Sequence, residues 1–224
     1  VLAQLDTSQS ATKLLTIVAN IRGAEEAVTF SSISYLGFPL SVSETFQLRN
    51  TNKTIAASIE EVKAIQSLCV AHGKELVVYL SMGFGNPYGD PYDTEYILQI
   101  VQQLVGMGIR TISLADTVGV AAPSTIAYLF DALIPAFKEV RFGAHFHSTW
   151  EAAEEKIATA LAHGCHYFDS AMKGIGGCPM ANDDLVGNIA SEQLLAYLQK
   201  NNSPLQINET AFQEALNTAQ QLFV

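Results

Sequence analysis

Two histidines one residue apart, His145 and His147 in RFGAHFHST (141–149), are the sharpest chemical signal in the sequence. Side chains alternate along a strand, so both imidazoles face one side and Phe146 the other, which offers two adjacent nitrogens to one metal ion. The same pair could equally be two hydrogen-bonded core histidines. Asn188, in GNIASEQL (187–194), either neighbours a helix cap or presents a hard amide oxygen to Mg²⁺ or Mn²⁺. Asp116 stands where a strand ends and could orient a histidine, accept a proton or cap the following turn. Cys178 lies in GIGGCPMA (174–181), either a reactive thiol on a loop that can approach a ligand closely or an incidental cysteine in a glycine-rich turn.

Such residues act together only if the chain gathers them, and its periodicity says how. Short β-branched or aromatic runs at 14–18, 33–42, 76–81, 111–115, 140–147 and 167–170 alternate with segments of helical period. Ser58 and Glu61 predict a capping box, followed by a stripe of Ile59, Val62, Ile65 and Cys69 that stops at Gly73. Further helices are expected at 94–106, 123–136, 150–162, 191–199 and 209–222. Polar residues cluster at the strand ends where parallel α/β folds build sites: Ser43, Glu44, Tyr79, Ser81, Ser113, Asp116, the two histidines, Asp169 and Ser170.

Strands joined by helices run parallel, and a spacing of roughly 30 residues per unit is that of an eight-unit (β/α)8 TIM barrel. Six strands are visible, so the α/β chain is expected to be a single barrel domain over 1–224 lacking its N-terminal one or two units. A six-stranded open sheet is the other architecture.

Composition narrows the function. Of 224 residues 49% are hydrophobic and 15% charged, which excludes disorder, and a net charge of −10 leaves no basic stripe for nucleic acid. Neither a membrane span nor an apolar leader is visible, and three cysteines favour a reducing compartment over secretion. The expectation is a soluble cytoplasmic protein, an organelle matrix being the other possibility, without a nucleic-acid or membrane partner.

From about Thr16 to Leu198 the chain resembles the 3-hydroxy-3-methylglutaryl-CoA lyases, metal-dependent TIM-barrel enzymes grouped with isopropylmalate and homocitrate synthases and 4-hydroxy-2-oxovalerate aldolases. The resemblance is carried by ANIRGAEEAV (19–28), SETFQLRN (43–50), YLSMGFGNPYGDP (79–91), ISLADTVGVAAP (112–123), AHFHST (144–149), DSAMKGIGGCPMA (169–181) and GNIASEQL (187–194). It implies that His145, His147 and Asn188 bind a divalent metal, Mg²⁺ or Mn²⁺, and that Cys178 lies on a loop closing over an acyl-CoA substrate. It implies further that Asp116 is a catalytic aspartate, that Asn50, Tyr79, Ser113 and Thr117 line the substrate side, and that the protein is a homodimer.

The implied reaction cleaves 3-hydroxy-3-methylglutaryl-CoA to acetyl-CoA and acetoacetate, with Asp116 or His145 as base and Cys178 as proton donor. A related aldolase, a condensing synthase and a non-catalytic paralogue are the alternatives. Two features depart from the family: Ser148 stands where an Asp usually follows the second histidine, and the interval from Cys178 to Asn188 is one residue longer. The family's Arg-Asp pair and catalytic Glu have no counterpart in the sequence, so the natural protein is expected to start upstream of Val1.

Overall fold

Six parallel strands, β1 (Leu14–Ile17), β2 (Ile33–Ser41), β3 (Glu75–Ser81), β4 (Thr111–Asp116), β5 (Arg141–Phe146) and β6 (Tyr167–Phe168), lie side by side in chain order. The computed structural model describes residues 2–6, 10–177, 186–203 and 205–223. Among these, eight α-helices accompany the strands: α1 (Ile21–Ala27), α2 (Glu44–Thr51), α3 (Ile55–Ala71), α4 (Thr94–Gly106), α5 (Pro123–Ala136), α6 (Trp150–Ala162), α7 (Ser191–Lys200) and α8 (Glu209–Leu222). A parallel strand order that never reverses, joined by crossovers of the usual right hand, puts the connecting helices on one face and curls the sheet about the other. The result is a TIM-barrel-like half-barrel, not the two-sided open sheet that a reversed order would give.

Strand alternation builds the two faces. Leu36, Phe38 and Leu40 of β2, Leu76, Val78 and Leu80 of β3, Ile112 and Leu114 of β4, and Phe142, Ala144 and Phe146 of β5 join the buried core. The helices meet them with Ile59, Val62 and Ile65 of α3, Ile97, Val101 and Leu104 of α4, and Leu129, Phe130 and Leu133 of α5. Each such side chain stabilises the fold by about 1.5–3 kcal/mol through removal from water. The intervening residues Pro39, Tyr79, Ser113 and Gly143 stand in one paired row across the sheet, and Ala115 pairs with His145 one layer nearer the strand ends. The concave face is therefore free to be polar.

The long helices fall where their periodicity placed them, but the expected capping box does not form. Helix α3 begins four residues earlier, at Ile55, capped by Thr54, whose hydroxyl accepts from Ala57 N at 3.1 Å. Ser58 is buried inside it and accepts from Gln47 Nε2 at 2.9 Å, while Glu61 reaches across to cap another helix, accepting from Ile21 N at 3.1 Å. Strand β6 is shorter than expected, ending at Phe168.

Candidate active site

At the C-terminal ends of the strands, His145 and His147 both project to the concave side, their ring centroids 5.3 Å apart. They face a cavity of about 430 Å³ lined also by Asn50, Tyr79, Thr117, Asp169 and Asn188. A larger cavity, about 550 Å³, lies at the opposite ends of the strands among Lys13, Tyr35, Lys74, Glu75 and Arg110, away from both histidines.

His147 is 5% exposed, and its Nδ1 lies 2.9 Å from the Thr117 carbonyl oxygen. A carbonyl only accepts, so Nδ1 carries the proton and Nε2 keeps a lone pair. Burial first, then the neighbouring His145, push the His147 pKa down to about 4, so the ring is neutral at pH 7, as a metal ligand must be. The Asn188 side chain lies beside this ring. Its amide nitrogen donates to the Ile175 carbonyl at 3.0 Å, which leaves the amide oxygen as the group to turn toward the imidazole.

Residues over forty positions apart meet here because the backbone is stitched. His147 and Asn188 form an antiparallel bridge, Ser148 N donates to the Gly187 carbonyl at 2.9 Å, and Ile189 N donates to that of Phe146 at 3.3 Å. Asn188 N in turn donates to the Gly176 carbonyl at 3.2 Å, folding the glycine segment over it. The approach requires glycine: a Cβ on Gly187 would lie 2.6 Å from the Gly174 carbonyl oxygen, and one on Gly174, at φ +65°, 2.7 Å from that of Asn188.

His145 is held differently. Its Nδ1 lies 3.3 Å from Asp169 Oδ2, close enough for an ion pair but misaligned for a hydrogen bond, so this buried nitrogen makes none. Asp169 also accepts from Ser113 Oγ at 3.1 Å, and the Tyr79 ring meets His145 edge-on at 5.7 Å. Burial, with Asp169 adding to it, pushes the Tyr79 phenol up, which keeps it a neutral hydrogen-bonding group. Thr117 lines the cavity while its hydroxyl accepts from Met82 N at 2.8 Å. Asn50 reaches the cavity from α2, whose N-terminus is tied to Asp90 through Ser43 Oγ (2.5 Å) and Thr45 N (2.9 Å).

The expected site residues thus separate into groups. His145, His147, Asn188, Tyr79, Thr117 and Asn50 come together, and Ser113 sits one layer deeper in the half-barrel, beneath Asp169. Asp116 does not join them: strand alternation turns its side chain to the helix side, where it pairs with Lys156 of α6 at 2.6 Å and accepts from Ala121 N at 3.0 Å. In this structure the Asp116 side chain therefore faces α6 and not the cavity. Burial raises the Asp116 carboxyl pKa, opposed chiefly by Lys156. Cys178 lies outside the described residues, although Gly177 before it lines the cavity.

Two participants carried no role in the sequence reading. Lys156 was detectable as a cation on the apolar stripe of α6, between Ala153 and the pair Ile157 and Ala160. Asp169 was visible as a carboxylate at a strand end, but nothing in its neighbours pointed to His145.

Two imidazoles and an amide oxygen make a nitrogen and oxygen donor set suited to a borderline-hard divalent ion. The unpartnered buried His145 Nδ1, the neutral His147 ring and the Asn188 oxygen beside it are compatible with such an ion. Among the described residues no three His, Cys, Asp or Glu side chains make a metal cluster by themselves, so further oxygens must complete the coordination.

The chain is similar to known proteins in sequence and in fold. The chain is 32% identical over 184 residues to a hydroxymethylglutaryl-CoA lyase of Bacillus subtilis, covering 82% of this chain and 61% of that one. The crystal structure of an HMG-CoA lyase from Brucella melitensis superposes with a TM-score of 0.89 at 26% identity, covering 99% of this chain and 77% of that one. An HMG-CoA lyase from Acinetobacter baumannii, in complex with coenzyme A and 3-methylmalate, gives 0.85 at 25% identity, covering 95% and 69%. The chain spans about three-fifths of the length of its Bacillus relative. A model of the HMGL-like family matches residues 2–219, and the chain belongs to that family.

Proposed function

We propose that this chain carries the metal- and substrate-binding part of a carbon–carbon lyase that cleaves 3-hydroxy-3-methylglutaryl-CoA to acetyl-CoA and acetoacetate. The observation that carries the reading is the convergence of His145, His147, Asn188 and Asp169 on one cavity at the C-terminal ends of the strands. The names of the relatives support the substrate class, and the unreversed strand order supports placing these six βα units within an eight-unit barrel.

His145, His147 and Asn188 would hold a divalent cation, Mg²⁺ or Mn²⁺. When bound, such an ion acts as a Lewis acid that lowers the pKa of a nearby hydroxyl. The chain does the rest. With Asp116 turned to the helices, the Asp169 carboxylate beside His145 is the acceptor for the tertiary hydroxyl proton, and Ser113 holds that carboxylate in place. Loss of that proton lets the carbon–carbon bond break toward the thioester, which leaves an acetyl-CoA enolate to be protonated. Cys178, next to the cavity-lining Gly177, is the candidate donor. Tyr79, Thr117 and Asn50 wall the substrate and exclude water.

The test is to incubate the full-length protein with 3-hydroxy-3-methylglutaryl-CoA, with and without Mn²⁺, and to follow acetoacetate. Release that depends on metal is expected. Absence of release with metal present, or equal release after His147→Ala, would overturn the proposal.

A further inference from the structure

Lys156 is the one lysine among the described residues that is buried, 5% exposed on the apolar face of α6. Its ammonium has three protons to donate and three acceptors to receive them: Asp116 Oδ2 at 2.6 Å, the His147 carbonyl at 2.9 Å and the Gly119 carbonyl at 3.1 Å. These acceptors come from the end of β4, the residue just past β5, and the turn between β4 and α5. An apolar side chain of similar volume would fill the same space without the desolvation cost of a buried ion pair.

Between Asp116 and Gly119 lies Thr117, whose carbonyl receives the His147 Nδ1 proton. Lys156 therefore grips that hydrogen bond from both sides. It fixes the acceptor segment through Asp116 and Gly119, and the donor residue through its own carbonyl. We propose that Lys156, with Asp116 as its counter-charge, is a positioning residue that sets the ring orientation and tautomer of His147, and so aims Nε2 into the cavity toward Asn188. The inference rests on the reading of His147 as a metal ligand only for its purpose; the tautomer itself is a property of the metal-free chain. Loss of an outer partner that orients a ligating histidine typically weakens metal binding about 10–100-fold.

The experiment uses full-length protein with ¹⁵N-labelled histidine, the His147 signals being assigned by their loss in His147→Gln. In the metal-free wild type the ring nitrogens are expected at the shifts of a single Nδ1–H tautomer. In Lys156→Met they are expected to move toward the average of the two tautomers, and the Kd for Mn²⁺ to rise about 10–100-fold. Should Lys156→Met fail to fold, Asp116→Asn/Lys156→Met removes both charges together and is expected to show the same averaging. Unchanged His147 ring shifts in the folded variant would overturn the proposal and leave Lys156 a purely structural ion pair. If the ring shifts move as expected but the wild type binds no Mn²⁺, the positioning role stands and the metal reading falls.

Discussion

Replacing Lys156 with Met should produce a stability defect that depends on pH in an unusual direction. The side chain of Asp116 is fully buried, and its partner in charge is the Lys156 ammonium 2.6 Å away. Without the ammonium, a carboxylate and the carbonyls of Gly119 and His147 lose a donor in a site closed to water. Breaking a buried pair on one side costs about 3–5 kcal/mol, and that is the deficit expected at pH 8. Burial already raises the Asp116 carboxyl pKa, and Lys156 is the main influence that lowers it, so the variant raises it further. A group whose folded pKa lies above its unfolded value, about 3.9 for Asp, stabilises the fold below that value and loses the contribution as pH rises through the folded pKa. Urea unfolding of Lys156→Met should therefore show a smaller deficit at pH 5 than at pH 8. Asp116→Asn/Lys156→Met should show no such dependence and a milder cost. A deficit under about 1 kcal/mol, the range of exposed pairs, or one identical at both pH values in the single variant, would refute the assignment of a buried, charge-compensated Asp116.

Other consequences follow from particular contacts. Burial pushes the Cys69 thiol up to about 11 and that of Cys165 to about 12. At pH 8 only about one Cys69 in a thousand is thiolate, so a thiol reagent followed by peptide mass mapping should leave both cysteines unlabelled in native protein and label them in urea. Gly187→Ala forces a Cβ against the Gly174 carbonyl, and should lower stability by about 1–3 kcal/mol and weaken Mn²⁺ binding by displacing Asn188. Unaltered Mn²⁺ titrations in that variant would disconnect the glycine segment from the site. Thr54→Ala removes the N-cap of α3 and should cost about 1 kcal/mol in urea unfolding, whereas no loss would mean that the helix is capped elsewhere.

Much of the fold was legible because long helices with one apolar stripe declare themselves. The intervals 94–106, 123–136, 150–162 and 209–222 are those of α4, α5, α6 and α8. Helices α1 and α2 were not. Helix α1 has seven residues with only Ala24 and Ala27 buried, and α2 buries only Phe46 and Gln47, so neither writes a stripe. They are held by long-range bonds instead, Glu61 to Ile21 N and the Gln47 amide to Ser41 N and Ser58. The start of α3 was misplaced for a similar reason, since Ser58 and Glu61 have capping-box spacing but are used by other helices. Within the site, strand alternation correctly set the two histidines on one face. The same alternation, applied one residue at a time to β4, puts Ser113, Ala115 and Thr117 inside and Asp116 outside. No local signal announced that the partner waiting outside was Lys156, forty residues on.

The central claim is that His145, His147 and Asn188 converge on a single cation, and Mn²⁺ titration of the full-length protein, followed by electron paramagnetic resonance, tests it most directly. One tight site is predicted in the wild type, weakened at least about 100-fold in His147→Ala, since a ligand counts for more than the outer partners worth about 10–100-fold. Wild-type affinity retained in both His147→Ala and Asn188→Ala would contradict the account.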